Sequence, residues 1–139
     1  MAQPVKTEIS FAQISNSLRS FPFPQLECVV GIARGGLVPA AMIAHQLGLP
    51  LHVVSINYRD DSNQPRHADP VVHGAKPDLA TGASGPILLV DDVSVTGKTF
   101  FAAKVLFPGR DIITFALKGK ADLVLFPEIR TCVIWPWSV

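Results

Sequence analysis

Two adjacent carboxylates and the loop after them are the residues in this chain best suited to chemistry. Asp91 and Asp92 follow the apolar run at residues 87–90, and a loop of small and hydroxyl residues at 94–99 comes next. Carboxylates accept hydrogen bonds but donate none, so the acid pair suits hydroxyl groups or a cation. The loop offers backbone N–H groups, threonine hydroxyls and the beginning of a helix, which together suit a phosphate dianion. A sugar phosphate matches both halves of this stretch.

The end of the same loop matches part of a nucleotide-binding P-loop, in which Gly-Lys is followed by Ser or Thr. Gly97, Lys98 and Thr99 fit that ending, but the pattern needs a glycine at the position that Asp92 occupies. A carboxylate there would repel the nucleotide phosphates that a P-loop wraps. The sequence therefore argues against a kinase or an NTPase. An ordinary strand–turn–helix with a solvated acid pair is the alternative to a binding site.

Alternating strands and helices are predicted to position these residues. Apolar runs predict strands at residues 28–32, 51–56, 87–90, 111–117 and 131–134, with a further short strand or a turn at 123–126. Helices are predicted at residues 10–19, 39–47 and 98–107. This order predicts an α/β fold, in which a mainly parallel, twisted sheet of about five strands is flanked by helices. Ligands bind beyond the carboxyl ends of such strands, where Asp91 and Asp92 are expected.

The segment at residues 57–86 lacks a clear hydrophobic periodicity and contains several prolines and glycines. Long irregular loops in compact domains are often lids, so this segment is predicted to be a long mobile loop. His67 and His73 bracket Asp69 within it, but their spacing does not resemble a closed zinc site. A divalent metal, if one binds, is expected to be Mg²⁺ held mainly by substrate oxygens.

The composition indicates a single domain that spans residues 1–139. Hydrophobic residues make up 48% of it and the mean hydropathy is +0.33, yet no stretch is apolar for the roughly 18 residues of a membrane helix. The apolar excess is assigned to a sheet buried on both faces and to a subunit interface, which predicts a homodimer or a homotetramer. A net charge of +1 gives no electrostatic argument for nucleic acid or an anionic membrane.

The expected compartment is the cytoplasm. The first ten residues lack the apolar core of a signal peptide. Cys28 and Cys132 lie far apart in the sequence and form no C-x-x-C pair. We therefore expect both to be reduced, small, buried residues.

The acid pair and its loop resemble the binding motif for 5-phosphoribosyl pyrophosphate (PRPP) in type I phosphoribosyltransferases. In both, four apolar residues precede two acids and a loop of the form Thr-Gly-x-Thr, here residues 96–99. The segment GIARGGLVPA, at residues 31–40, is similar to the pyrophosphate-binding loop of the xanthine-guanine enzymes. The resemblance is closest to the xanthine-guanine and hypoxanthine enzymes of purine salvage, and it implies the type I phosphoribosyltransferase fold.

This resemblance implies a role for each part of the site. Asp91 and Asp92 would grip the 2- and 3-hydroxyls of the ribose and would form the catalytic group together with Arg34. Arg34 and the backbone of Gly35 would bind the pyrophosphate, often beside an unusual cis peptide. Mg²⁺ would be the cofactor, with Asp91 and Asp92 as indirect ligands. The residues implied in binding the 5-phosphate are Ser94, Val95, Thr96, Gly97, Lys98 and Thr99.

Further residues are implied in contacts with the nucleobase. Lys118 resembles the family lysine that contacts the exocyclic oxygen of a 6-oxopurine. The last segment, CVIWPWS, is similar to the one whose residues flank the base, here Val133 and Trp135. A strand-end cation is the alternative for Lys118. Packing on the sheet or at a dimer contact is the alternative for Trp135 and Trp137.

The resemblance is weaker where the loop and the base are concerned. Tyr58 and Arg59 match the beginning of the family's mobile catalytic loop, although Arg59 fits a solvated surface charge equally well. Val95 stands where 6-oxopurine enzymes usually have an Asp that handles the proton on the purine ring nitrogen. Cys132 falls where those enzymes have a stacking Trp. The sequence therefore matches the family strongly for PRPP and less well for the base.

These observations predict a Mg-dependent transferase that moves a phosphoribosyl group from PRPP to a nucleobase, with a purine as first choice, and releases pyrophosphate. Its partners would be PRPP and a nucleobase or nucleoside monophosphate. Two alternatives stay open. A PRPP- or nucleotide-binding regulatory protein with weak or no activity is favoured by Val95 and Cys132. A pyrimidine phosphoribosyltransferase is compatible with Val95, because that branch of the family does not require Asp at this position.

Overall fold

A six-stranded sheet forms the centre of the molecule. The computed structural model describes residues 5–57, 69–74, 76–79 and 85–138. In chain order the elements are β1 (Lys6–Glu8), α1 (Phe11–Ser20), β2 (Cys28–Ala33), α2 (Leu37–Leu47), β3 (Leu51–Asn57), β4 (Val71–His73), β5 (Ile87–Ser94), α3 (Lys98–Val105), β6 (Ile112–Gly119), β7 (Leu123–Val124) and β8 (Cys132–Ile134). The strands of the central sheet follow the order β4-β3-β2-β5-β6-β7, and β1 pairs with β8 in a separate ribbon.

The central sheet is parallel except at one edge, where β3 and β4 are antiparallel. β5 lies between β2 and β6, and its residues Ile87, Leu88, Leu89 and Val90 are fully buried. A strand covered on both faces needs apolar side chains on both of them, which explains the unbroken apolar run. The predicted α/β class and the mainly parallel sheet are confirmed.

Helices cover both faces of this sheet. α1 and α2 pack on one face in a core cluster with Leu88 and Val90, and α3 packs on the other face in a cluster with Ile87 and Leu89. The helical side chains buried in these clusters include Ile14, Leu18, Ala40, Ile43, Phe100 and Ala103. Because β5 is packed from both sides, its carboxyl end has a fixed position.

The last predicted strand is present but lies outside the central sheet. β8 pairs in parallel with β1, and Lys6 lies opposite Cys132. The hydroxyls of Thr7 and Thr131 hydrogen-bond each other at 2.5 Å beside this ribbon. Strands of three residues contain too little alternation to give a periodic signal, which is why the sequence does not predict β1 or β4. The ribbon anchors the chain that follows it at residues 135–138.

Several predictions need correction. α2 begins at Leu37 rather than at residue 39, and β5 and β6 continue past their predicted ends to Ser94 and Gly119. Cys28 is buried as expected, but the prediction of burial is wrong for Cys132, which is exposed. The reason is that a two-stranded ribbon leaves side chains open to solvent where a full sheet would cover them. Among the residues that the structure describes, no helix is long and apolar enough to cross a bilayer.

Candidate functional site

The two acids lie in the last residues of β5 rather than in the loop after it. Asp91 pairs with Ala116 of β6, and the strand continues to Ser94. Backbone N–H groups hold both carboxylates, since Asp91 Oδ1 accepts from Asp92 N at 2.8 Å and Asp92 Oδ1 accepts from Val93 N at 2.7 Å. The acids therefore have well-defined positions at the carboxyl edge of the sheet.

A glycine loop that follows the neighbouring strand β2 lies directly against Asp92. A Cβ atom added to Gly35 would lie 2.5 Å from the carboxylate carbon of Asp92 and from both of its oxygens. A Cβ atom added to Gly36 would lie 2.2 Å from the carbonyl oxygen of Val90. At Gly36 the neighbouring atoms are backbone, so this position requires glycine, whereas a Cβ atom at Gly35 would force the carboxylate of Asp92 to move. The structure thus brings the predicted pyrophosphate loop and the acid pair together at one sheet edge.

Arg34 comes immediately before these glycines. Its side chain is exposed, and the peptide bond between Ala33 and Arg34 is cis, as the resemblance implies. A guanidinium group presents its donors in a planar fork that matches the oxygens of a phosphate group. Arg34 is therefore available to a charged ligand that approaches the acid pair from solvent.

The predicted 5-phosphate loop connects β5 to α3. Gly97 is the N-cap of α3 with a left-handed φ of 84°, and it offers no side-chain oxygen to the first-turn amides. The Thr96 hydroxyl accepts a hydrogen bond from Lys98 N at 3.3 Å, and Thr99 lies in the first turn of the helix. Because Gly97 contributes no capping side chain, the first turn of α3 is suited to bind a phosphate group through its backbone amides.

The end of β6 fixes the beginning of that loop. Gly119 has a φ of 107°, and a Cβ atom added to it would lie 1.9 Å from the carbonyl oxygen of Ser94. The same oxygen accepts a hydrogen bond from Lys120 N at 2.8 Å. Ser94 is buried by this contact, whereas Val95, the next residue, is 46% exposed. The approach of Gly119 to Ser94 is not among the predictions from the sequence, although a glycine after an apolar run is a signal of close backbone approach.

Burial sets the protonation behaviour of the site. It raises the pKa of Asp92 from its usual value of 3.8, although part of the residue still reaches solvent. The side chains of Asp91 and Trp137 and the backbone N–H of Val93 lower the pKa of Asp92, but they do not offset the effect of burial. A carboxylate in this environment takes up a proton more readily than one in water. Ligand groups that donate hydrogen bonds to Asp92 would favour its ionised form.

The residues implied in base binding occupy two different parts of the structure. Lys118 lies within β6, opposite Val93, rather than beyond the strand end as predicted. Val133 is the middle residue of β8 and is partly buried. Trp135 is only 4% exposed and stacks with Trp137, which favours the packing alternative for its indole ring over a stacking contact with a base.

The described residues offer few side chains that could bind a metal ion. In residues 5–57, 69–74, 76–79 and 85–138, no group of three His, Cys, Asp or Glu side chains could hold a metal ion. Asp91 and Asp92 are adjacent carboxylates, and a pair of this kind suits Mg²⁺ that takes its other ligands from water and substrate. The predicted loop residues Tyr58 and Arg59 lie outside the described residues.

Comparison with known proteins agrees with this architecture. The model of the phosphoribosyl transferase domain family matches residues 11–112. The structure is similar to a purine phosphoribosyltransferase from Pyrococcus horikoshii Ot3, with a TM-score of 0.68, 24% identity, and coverage of 96% of this chain and 94% of that one. It is also similar to the xanthine-guanine-hypoxanthine phosphoribosyltransferase of Helicobacter pylori, with a TM-score of 0.71, 14% identity, and coverage of 97% and 95%.

A third similar structure is that of a hypothetical protein from Neisseria gonorrhoeae with bound ppGpp. The TM-score is 0.62 and the identity 18%, over 100% of this chain and 92% of that one. At such identities the three solved structures show a shared fold, while the domain match shows the family.

Proposed function

Because this chain belongs to the phosphoribosyltransferase family, we propose that it transfers a phosphoribosyl group from PRPP to a purine base in a Mg-dependent reaction and releases pyrophosphate. The observation that carries this proposal is the contact between the glycine loop and the acid pair. Gly35 lies so close to the carboxylate of Asp92 that a Cβ atom would clash at 2.5 Å. A diphosphate on the glycine loop and a ribose on the acids would therefore be neighbours, as they are in PRPP.

In the proposed reaction, a nitrogen of the base attacks C1 of the ribose, and the bond from C1 to the pyrophosphate oxygen breaks. Asp91 and Asp92 accept hydrogen bonds from the 2- and 3-hydroxyls, and their charge favours the cation that develops on the sugar ring. The amides and hydroxyls of residues 94–99 hold the 5-phosphate away from the reacting centre. Positioning of the two reactants in this way supplies much of the acceleration.

The glycine loop binds the pyrophosphate leaving group in this proposal. Arg34 and the backbone N–H of Gly35 donate hydrogen bonds to the pyrophosphate as negative charge accumulates on it. Asp91 and Asp92 would be the residues that hold Mg²⁺ indirectly, and the metal would supply positive charge that stabilises the leaving diphosphate.

The identity of the base depends on how its proton is removed. Val95 cannot accept a proton, so water, a residue of the loop at 57–86, or a base that needs no such help takes the place of the Asp of 6-oxopurine enzymes. Lys118 and Val133 are the residues proposed to contact the base.

A regulatory protein that binds PRPP or a nucleotide without transfer is the second candidate. It is favoured by Val95, which is 46% exposed where a proton acceptor would stand. The Neisseria gonorrhoeae protein of similar fold, which was solved with ppGpp, supports nucleotide binding by this architecture. Residues at the ribose and phosphate positions fit both candidates equally.

One experiment separates these candidates. The protein is incubated with PRPP and Mg²⁺ and a panel of purine and pyrimidine bases, while pyrophosphate release and PRPP binding are both measured. Release with a purine supports the proposed function, and binding without release from any base selects the regulatory protein. Asp92→Asn should weaken PRPP binding, whereas Asp111→Asn, an exposed acid before β6, should not. Equal affinity of the wild type and Asp92→Asn would remove the ribose assignment.

We also propose that the protein is a homodimer or a homotetramer. Phe101 and Val105 lie one turn apart on α3 and are 72% and 64% exposed, and burying two such side chains would be favourable. Sedimentation velocity tests this directly, since a single monomeric species at micromolar concentration would contradict it.

A further inference from the structure

The outer edge of β1 is open to another strand. β1 pairs with β8 on one side, and in the part of the chain that the structure describes no strand lies on its other side. Ile9 N, just after β1, donates a hydrogen bond to the carbonyl oxygen of Ile134 at 3.2 Å. Successive residues of a strand point their N–H and C=O groups to opposite sides, so Thr7 also faces β8. The backbone groups of Lys6 and Glu8 therefore face the open edge, where they can pair with a further strand.

Two charged side chains of opposite sign lie on this edge strand. Lys6 and Glu8 are both exposed, and neither forms a salt bridge within residues 5–57, 69–74, 76–79 and 85–138. An edge strand that carries only lysines repels a second copy of itself, which is one way in which proteins keep such edges unpaired. Here the two charges are opposite and two residues apart. This spacing makes β1 complementary to a second β1 that runs antiparallel to it.

A twofold axis at Thr7 gives the register of such a pair. It places Lys6 opposite Glu8 of the partner subunit, and each of these pairs exchanges backbone hydrogen bonds in both directions. Opposite charges that face each other across two strands add to the stability of the pair. The same register places Val5, which is 75% exposed, opposite Ile9 of the partner subunit, a residue that belongs to a buried core cluster. Charge, backbone and apolar contacts are therefore satisfied in one arrangement.

We propose that β1 binds β1 of a second copy of this chain, antiparallel about a twofold axis at Thr7, with reciprocal ion pairs between Lys6 and Glu8. The inference does not depend on the proposed function, because no residue assigned to PRPP or the base takes part. Ile9 beside β1 packs in the cluster with α1 and α2, whereas α3 packs in the cluster on the other face of the sheet. The β1 contact and the contact proposed for Phe101 and Val105 are therefore separate. Two separate twofold contacts on one chain account for a homotetramer.

Charge reversal tests the pairing. Lys6→Glu and Glu8→Lys each place like charges opposite one another in both ion pairs of the contact. Each variant alone should sediment at half the mass of the wild-type assembly, and the dissociation constant should rise at least about tenfold. A mixture of the two variants should regain the wild-type mass, because each then meets a partner of opposite charge, and so should the double variant. Lys6→Arg keeps the charge and is the control that should match the wild type.

Cross-linking tests the register. Both cross-linking variants carry Cys132→Ser, which removes the exposed native thiol. Thr7→Cys should form a disulfide between two subunits under mild oxidation, because facing residues on a twofold axis bring their Cα atoms within the range of a disulfide. Lys6→Cys is the control from the same strand, since its two copies lie out of register and too far apart to bridge. Electrophoresis without reductant measures the cross-linked fraction of each variant.

Three results would overturn the inference: a monomeric wild type, charge-reversal variants that keep the full wild-type mass, or equal cross-linking of Thr7→Cys and Lys6→Cys. If the charge-reversal variants do not fold, the cross-linked fractions decide. All of these measurements are made without PRPP. Failure of the wild type to bind PRPP would refute the proposed function and leave the β1 contact unaffected.

Discussion

Asp92 combines burial with a proposed role in binding the ribose hydroxyls. The ionised carboxylate is the stronger acceptor for these hydroxyls, yet burial raises the pKa of Asp92 from its usual 3.8. The folded chain therefore binds this proton more tightly than the unfolded chain does. Stability from this group is present below the unfolded pKa and is lost as the pH rises through the folded pKa. In the ligand-free protein, ionised Asp92 thus opposes folding, as expected of a residue kept for binding.

The affinity for PRPP should consequently rise as Asp92 ionises and level off above its pKa. The phosphates of PRPP also titrate, so the comparison is with Asp92→Asn, whose amide does not. The PRPP affinity of the wild type, divided by that of Asp92→Asn, should decrease toward low pH, where Asp92 in the wild type is protonated. Calorimetry at a series of pH values from about 4 upward, above the usual pKa of the group, measures this ratio. A ratio that stays constant over the range would show that the charge of Asp92 is not used.

Gly35→Ala and Gly36→Ala should have different effects although the residues are neighbours. The Cβ of Gly35→Ala would meet the side chain of Asp92, which can turn away at modest cost to stability. We expect a loss of PRPP affinity of about 10- to 100-fold in a protein that still folds. The Cβ of Gly36→Ala would meet backbone carbonyl oxygens of Val90 and Ile32, which cannot move freely.

Gly36→Ala should therefore lower the free energy of unfolding by about 3 kcal/mol or more. Urea unfolding and PRPP calorimetry on both variants test the contrast. If Gly35→Ala and Gly36→Ala lose the same amount of stability, the side chain of Asp92 cannot move away from the methyl group that Gly35→Ala introduces.

At the scale of elements, two helix ends allow a matched comparison. Gly97 begins α3 with a φ of 84° and Gly48 follows α2 with a φ of 67°, and a Cβ atom at either would meet nothing within 4 Å. Alanine at each should therefore cost only backbone strain, about 1–2 kcal/mol. Gly97→Ala alone should weaken the binding of ribose 5-phosphate, because only Gly97 lies in the proposed phosphate loop. Comparable binding by both variants would argue against that loop.

The elements that the sequence predicts well are those with long apolar runs. β5 is anticipated because residues 87–90 are all apolar, and the strand order of an α/β fold then places Asp91 and Asp92 at a sheet edge. Its continuation to Ser94 is not anticipated, since pairing with β6 overrides the polar character of the acids. β1 and β4 are missed because strands of three residues contain too little alternation to give a periodic signal.

Sequence patterns cannot predict the contacts in the site between residues that are far apart in the chain. The motifs at residues 34–36 and 91–99 are visible separately, but the approach of Gly35 to Asp92 depends on β2 lying beside β5. The pairing of β8 with β1 is likewise not predicted, because β1 is too short to give a periodic signal. The burial that raises the pKa of Asp92 is likewise a product of tertiary packing.

At the scale of the whole molecule, the site joins parts of the fold that are far apart in sequence. The acids belong to the central strand, which is packed in both hydrophobic clusters, and the proposed pyrophosphate loop joins β2 to α2. A ligand that binds only the folded state stabilises it by an amount set by its concentration relative to its dissociation constant. Each half of PRPP should therefore stabilise the entire domain through its own half of the site.

Ribose 5-phosphate and pyrophosphate, each at about 100 times its dissociation constant, should raise the free energy of unfolding by about 2.7 kcal/mol. For a domain of this size that corresponds to a rise in Tm of roughly 8–12 °C. Arg34→Ala should abolish the rise with pyrophosphate and keep the rise with ribose 5-phosphate, and Asp92→Asn should do the reverse. Differential scanning calorimetry of both variants with both ligands tests this. If either variant loses both responses equally, the two halves are not separate, and the division of PRPP between the acids and the glycine loop is wrong.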